Sequence, residues 1–254
     1  MIAFVREVSP ELARCELSLI ERVPIDAARA HRQHQDYAAE LCALGCELEW
    51  LPPLPGHPDA VFVEDTAVLV PELAVITRPG AASRRGEVDS VAAALIRRLP
   101  VTRLGEPASL DGGDVLRIGQ SLYVGVSGRS NAAGVAQLAA ALAPLGYTVR
   151  AVPLTGCLHL KSACTFIRPE VLLVNPRWVD PAVFAHTVPV VVDADEPYAA
   201  NTLSVGSVTL VSSAYPRTRQ RLEQAGIATR ALQVDELHKA EAALTCLSLM
   251  LERA

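Results

Sequence analysis

Four islands of reactive side chains interrupt an otherwise apolar sequence. PDAVFVEDTAVL carries Asp59, Glu64 and Asp65, and ITRPGAASRRGE carries Arg78, Arg84 and Arg85. LDGGDVL and VGVSGRSN carry Asp111, Asp114 and Arg129, and GCLHLKSACT carries Cys157, His159 and Cys164. A further thiol, Cys246, stands far downstream in LTCLS. Thiol, imidazole and carboxylate are the parts of a nucleophile, its acid–base partner and the group that orients that partner. Each island also has an ordinary reading. Acids in an apolar run can sit at a solvated strand end, and the arginines can decorate a helix start capped by Ser83. Gly112 and Gly113 between two acids fit a tight turn, or a backbone that passes close to something. A cysteine in an apolar run is as a rule a small hydrophobe, and spacing does not show whether His159 and Cys246 meet. Cys157, His159 and Cys164 match no common zinc spacing and lack a fourth ligand, so no metal is expected.

The elements that must carry these residues repeat. Five helix-period stretches each run into a short apolar one: DAARAHRQHQDYAAELCALG into CELEWLP, SRRGEVDSVAAALIRRL into PVTRL, NAAGVAQLAAALAPLG into YTVRAVPL, DPAVFAHT into VPVVVDA, and PRTRQRLEQAG into IATRALQV. Val135, Leu138, Leu142 and Leu145 share a helical face, as do Val88, Val91, Leu95 and Leu99. Gly45, Gly146 and Gly226 stand just past predicted helix ends. Between these units lie strand pairs: FVEDTAVLV with ELAVITR, GGDVLRIG with SLYVGVS, CTFIRPE with VLLVNP, and TLSVGS with VTLVSS. Five units in 254 residues, about 51 residues each, signal a repeat architecture. Each reads strand, strand, helix, strand, and none can bury its faces alone. The expected fold is α/β, a closed ring of five units with helices outside and a polar-lined central opening. It forms one domain over residues 1–254, with no linker.

Composition narrows the function. Half of the residues are hydrophobic, enough for a sizeable core. A net charge of −5 argues against nucleic acid and suits a cationic small substrate. No uncharged apolar run approaches the roughly 18 residues that span a membrane. Arg6, Glu7 and Glu11 would interrupt a signal peptide, so a cytoplasmic location is expected. The six cysteines, Cys42 and Cys46 among them, are then read as free thiols.

LPGHPDAVFVEDTAVL, ITRPGAASRRGE, LDGGDVL, VGVSGRSN, HLKS, EPYAAN and LTCLS together resemble the dimethylarginine dimethylaminohydrolase family, in order and in separation, from Ala28 to Cys246. The resemblance implies the five-bladed pseudo-symmetric α/β propeller of guanidine-modifying enzymes, the pentein fold. It implies hydrolysis of Nω-methylated arginine, as asymmetric dimethylarginine or monomethylarginine, to citrulline and dimethylamine or methylamine. It puts the nucleophile at Cys246, the general acid/base at His159 and the orienting acid at Asp111. Glu64 and Asp65 fall where the family binds the guanidinium. Asp59, Arg84 and Arg129 fall where it grips the amino and carboxylate groups, and Leu17 and Ala240 where backbone carbonyls meet the substrate amine. CELSLIERVP departs most from the family pattern and is expected to form the entrance lid. The chemistry agrees: a thiolate is strongly nucleophilic at modest basicity, which suits attack on a resonance-stabilised carbon to give a covalent S-alkylthiouronium. Carboxylates can hold the guanidinium N–H groups in a fixed plane. No cofactor is expected, the partner is the small-molecule substrate, and a homodimer is compatible with the chain.

Rival readings remain. An arginine deiminase uses the same thiol chemistry and releases ammonia, but that family carries an inserted helical domain and an HLD pattern where this chain has HLKS. A related amidinotransferase is also longer. Another ω-substituted arginine could be the substrate. A ribosome-binding protein of the same fold would lack the Cys246, His159 and Asp111 set.

Overall fold

Strand β1 (Ile2–Val5) is apolar at every position because both of its faces are covered. Ile2 and Phe4 enter one core cluster, Ala3 and Val5 the next. A continuous apolar run is the signature of such two-sided burial. The computed structural model describes residues 1–167 and 170–252. Residues 168–169, within the predicted CTFIRPE strand segment, and 253–254 lie outside them.

After β1 come α1 (Ala27–Ala43) and β2 (Glu47–Trp50). The second unit holds β3 (Ala67–Val70), β4 (Leu73–Ile76), α2 (Val88–Leu95) and β5 (Val101–Arg103). The third holds β6 (Val115–Ile118), β7 (Ser121–Val126), α3 (Ala132–Leu142) and β8 (Thr148–Pro153). The fourth begins with a single turn, α4 (Leu160–Ala163), followed by β9 (Cys164–Ile167), β10 (Val171–Val174) and β11 (Val188–Val191). The fifth holds β12 (Leu203–Val205), β13 (Val208–Ser212), α5 (Pro216–Gln224) and β14 (Ala228–Leu232), then α6 (Asp235–His238) and β15 (Leu249–Leu251). In four sheets an inner strand pairs antiparallel with the next strand, which pairs parallel with a third. The remaining sheet is assembled from distant sequence: β15 supplies the inner strand beside β1, in the register Ile2↔Leu251, and β2 lies parallel to β1. The ring is closed there.

Core clusters sit between neighbouring blades. Val68 and Val75 from one blade, Val115 and Leu122 from the next, and Leu138 and Leu142 of α3 form one of them. The helix ends behave as read: Gly45, Gly146 and Gly226 all have φ near +80°, where a side chain would be strained. Three expectations need correction. FVED is not strand but a 3-10 turn, Val63–Thr66, that precedes β3, and the GGD of GGDVLRIG is likewise a 3-10 turn, Gly112–Asp114, that precedes β6. DPAVFAHT forms only the 3-10 turn Pro181–Val183. These eight residues, with Pro189 close behind them, are too few to offset helix nucleation.

Candidate active site

The reactive residues cluster because each inner strand is preceded by a turn, and the turns converge. Glu64 and Asp65 precede β3, Asp111 precedes the turn Gly112–Asp114 and β6, and His159 caps α4 ahead of β9. Asn201 precedes β12, and Cys246 lies in the turn Thr245–Leu247 ahead of β15. One cavity of about 20 Å³ is bordered by Asp59, Asp65, Arg84, Arg129, His159 and Cys246, among others.

His159 stands between two carboxylates. Its Nε2 lies 3.0 Å from Oδ2 of Asp111, and its Nδ1 lies 3.9 Å from Oδ1 of Asp65. Burial alone would lower the imidazole pKa, but Asp65, Asp111 and Asp114 outweigh it and hold it up at about 9. The paired glycines permit this packing: a Cβ on Gly113 would lie 2.7 Å from Nδ1 of His159, and one on Gly112 would lie 2.0 Å from the Glu64 carbonyl. The Asp111 carboxylate accepts from the Gly80 amide at 2.9 Å, and the Asp111 amide donates to Ser130 Oγ at 3.1 Å. Burial opposes ionisation of Asp65, but His159, Arg84 and the Gly113 amide prevail and depress its pKa. The Cys246 thiol is pushed well up, first by burial and then by Glu64 and Asp65. Asp59 is raised to about 6, mainly by burial, against Arg84 and the Glu16 amide. Ligand atoms of Asp65, Asp111 and His159 lie within 4.8 Å of one another, close enough to bracket a cation. A protonated His159 already supplies positive charge between those carboxylates.

No family model matches the chain. It is 41% identical, over 98% of its length and 96% of the relative's, to an N(G),N(G)-dimethylarginine dimethylaminohydrolase of Streptomyces coelicolor. The chain belongs to the dimethylarginine dimethylaminohydrolase family. The corresponding Pseudomonas aeruginosa protein is 33% identical over 88% of this chain and 89% of its own. A solved dimethylarginine dimethylaminohydrolase from Pseudomonas aeruginosa, a cysteine-to-serine mutant complexed with citrulline, superposes with a TM-score of 0.93 at 31% identity over 97% of each chain. The N-terminal domain of the arginine dihydrolase ArgZ, 19% identical with a TM-score of 0.89, shares the fold. The five-bladed reading of the sequence is therefore the dimethylarginine dimethylaminohydrolase architecture.

Within that architecture the expected residues fall into three groups. Cys246, His159, Asp59, Asp65, Arg129 and Ala240 border the cavity, with Asp111 directly behind His159. Arg84 also borders it, but its guanidinium is engaged: Nη1 with Asp65 at 2.5 Å, Nε and Nη2 with Glu87, and Nη2 with the Phe62 carbonyl. Glu64 faces the other way. Its carboxylate accepts from Lys161 Nζ at 2.7 Å and Thr245 Oγ1 at 2.6 Å, and it borders the opening lined by the inner strands. Leu17 is not among the residues bordering the cavity. Asp114 is bound by Ser127, Ser130 and the Leu160 amide, which fixes the start of α4 and hence His159. The sequence reading missed Glu87, Lys161, Asn201 and Glu241 as individual residues. The first three lie inside motifs it had already isolated, RRGE, HLKS and EPYAAN; Glu241 lies in none of them.

Proposed function

We propose that this chain hydrolyses Nω-methylated arginines to citrulline and a methylamine. The observation that carries the reading is a protonatable imidazole held between Asp111 and Asp65 on the same small cavity as the Cys246 thiol. The substrate guanidinium enters beside Asp65, which keeps unused lone pairs for its N–H groups. Its positive charge offsets what holds the thiol neutral, burial first and then Glu64 and Asp65, and the thiol proton leaves to solvent as substrate binds. The sulfur then attacks the guanidinium carbon, forming a C–S bond and a tetrahedral adduct. His159 as imidazolium gives its proton to the departing dimethylamine nitrogen, and that C–N bond breaks. The S-alkylthiouronium that remains is attacked by water, with neutral His159 taking the water proton. The resulting tetrahedral adduct collapses with cleavage of the C–S bond, and its hydroxyl proton passes to the departing sulfur. Citrulline is released and the Cys246 thiol is restored, with His159 again protonated. Asp111 orients the imidazole and favours its charged form.

At the other end of the substrate, Asp59 takes the ammonium and Arg129 the carboxylate, with Ala240 offering its carbonyl. Arg84 serves chiefly by fixing Asp65. Glu64, paired with Lys161, acts through its charge near Cys246 rather than as the main guanidinium ligand. One domain over residues 1–254 carries the whole reaction. The experiment is citrulline formation from asymmetric dimethylarginine, monomethylarginine and arginine by the purified protein. Turnover of the methylated substrates above arginine is expected. Preference for arginine, with ammonia released, would replace this reading by a deiminase one.

A further inference from the structure

The segment over the cavity is held by a residue to which the sequence assigns no role. Residues 15–22 cross the site as a strap. Its flanks are anchored by Asp59, which accepts from the Glu16 amide at 3.1 and 3.2 Å, and by Arg22, which donates to the carbonyls of Ala13 and Cys15 at 2.6 Å. Arg129 adds a bond to Ser18 Oγ at 2.9 Å. The middle is held differently. The three consecutive amides of Ser18, Leu19 and Ile20 all donate to one carboxylate, that of Glu241, at 2.5–2.8 Å. Leu19 is 54% exposed, so packing does little to fix it. Glu241 itself has φ of +56°, a left-handed conformation that costs a non-glycine residue about 1–3 kcal/mol unless its surroundings enforce it.

Leu19 and Ile20 wall a second chamber of about 110 Å³ that reaches Cys246 and is otherwise largely apolar, with Leu158, Tyr198 and Tyr215 around it. Glu241 borders both this chamber and the polar cavity. We propose that Glu241 is a specificity-determining positioning residue: by clamping the amides of Ser18–Ile20 it fixes the chamber wall at Cys246 and limits the size of the ω-substituent accepted. The inference rests on the proposed hydrolysis of ω-substituted arginines. An apolar cavity of about 150 Å³ admits benzene, and the clamped chamber, about 110 Å³, is smaller than that. Methyl substituents fit, and a benzyl substituent requires the strap to yield.

The test uses Glu241→Gln and Glu241→Gly. Glutamine weakens the acceptor; glycine removes it while relieving the left-handed backbone. In both variants kcat/KM for Nω-benzyl-arginine relative to asymmetric dimethylarginine should rise on the order of tenfold, the scale on which pocket size discriminates substrates. Alkylation of Cys246 by a bulky neutral maleimide, relative to small iodoacetamide, should rise in parallel. The melting temperature of the glycine variant should stay at or above the parent's. Unchanged substrate and reagent ratios in both variants would overturn the proposal, as would a loss of stability in the glycine variant that accounts for any change. Failure of the parent to turn over dimethylarginine would instead sink the functional reading, and the reagent ratio would still decide the clamp.

Discussion

The cavity under the strap and the opening lined by the inner strands differ in size and in how their charges are balanced, and the proposed chemistry is assigned to the smaller. The larger opening, about 260 Å³, takes a strand from every blade, including Ala67–Leu69, Val115–Arg117 and Leu249–Met250. There Lys161 pairs with Glu64, whose other carboxylate oxygen accepts from Thr245 Oγ1. The smaller cavity, about 20 Å³, brings together groups whose pKa values are driven apart. Cys246 and His159 rise, Asp59 rises to about 6, and Asp65 falls. Glu64, beside the wide opening, is raised by burial as well, so the contrast lies in the gathering of a thiol, an imidazole and carboxylates with shifted pKa values around one small cavity.

The largest test of that contrast sets one residue from each side against the other. Cys246→Ser should cut citrulline formation by at least on the order of a thousandfold, as loss of a catalytic-unit member does. Arg117→Ala, which lines the wide opening and loses only the partly exposed pair with Glu252, should change it less than about twofold. A dead Arg117→Ala, or an active Cys246→Ser with a dead Cys157→Ser, would break the comparison.

A smaller effect is expected from Asp111→Asn, which should lower kcat on the order of a hundredfold. In the proposed mechanism His159, held at about 9, gives the proton that releases the amine. Without Asp111 its pKa falls, so the alkaline limb of the pH–rate profile should move to lower pH. Stability follows the same sign. A histidine raised in the folded state contributes fully below its ordinary value of about 6.5, and that contribution is lost as pH rises through about 9. The variant's stability should therefore vary less between those values, as read from denaturant midpoints. An alkaline limb that does not move would detach Asp111 from the imidazole.

The finest distinction separates the two arginines. Arg129→Ala should raise KM for dimethylarginine by roughly tenfold, about 1.5 kcal/mol for a charge-assisted bond, and leave a dimethylagmatine analogue without the carboxylate almost untouched. Arg84→Ala should damage both substrates and the fold, because removing one partner of a buried ion pair costs about 3–5 kcal/mol. Equal, carboxylate-dependent effects would return Arg84 to the substrate-gripping role.

Much of this was legible in order along the chain. Periodicity and glycine placement gave the helices of four units, because those signals are local. The islands around Asp65, Asp111, His159 and Cys246 stood out because polar groups in apolar runs need an explanation. What escaped depended on contacts between distant segments. The direction of the Glu64 side chain is set by Lys161, 97 residues away, and the engagement of Arg84 by Asp65 and Glu87 together. Glu241 meets the strap across more than 220 residues of sequence. No spacing rule reports a carboxylate that captures backbone amides so far away.

The blade made of β15, β1 and β2 also bears on the order of assembly. Four blades are built from nearly contiguous sequence, whereas the Ile2↔Leu251 pairing must bridge almost the entire polypeptide. Such long-range closure is entropically costly and slow. We expect this seam to zip last and to part first. Because Cys246 sits three residues ahead of β15, parting it would carry the sulfur away from His159 while the other blades stay folded. Under mild denaturant, hydrolytic competence would then vanish ahead of the bulk loss of secondary structure.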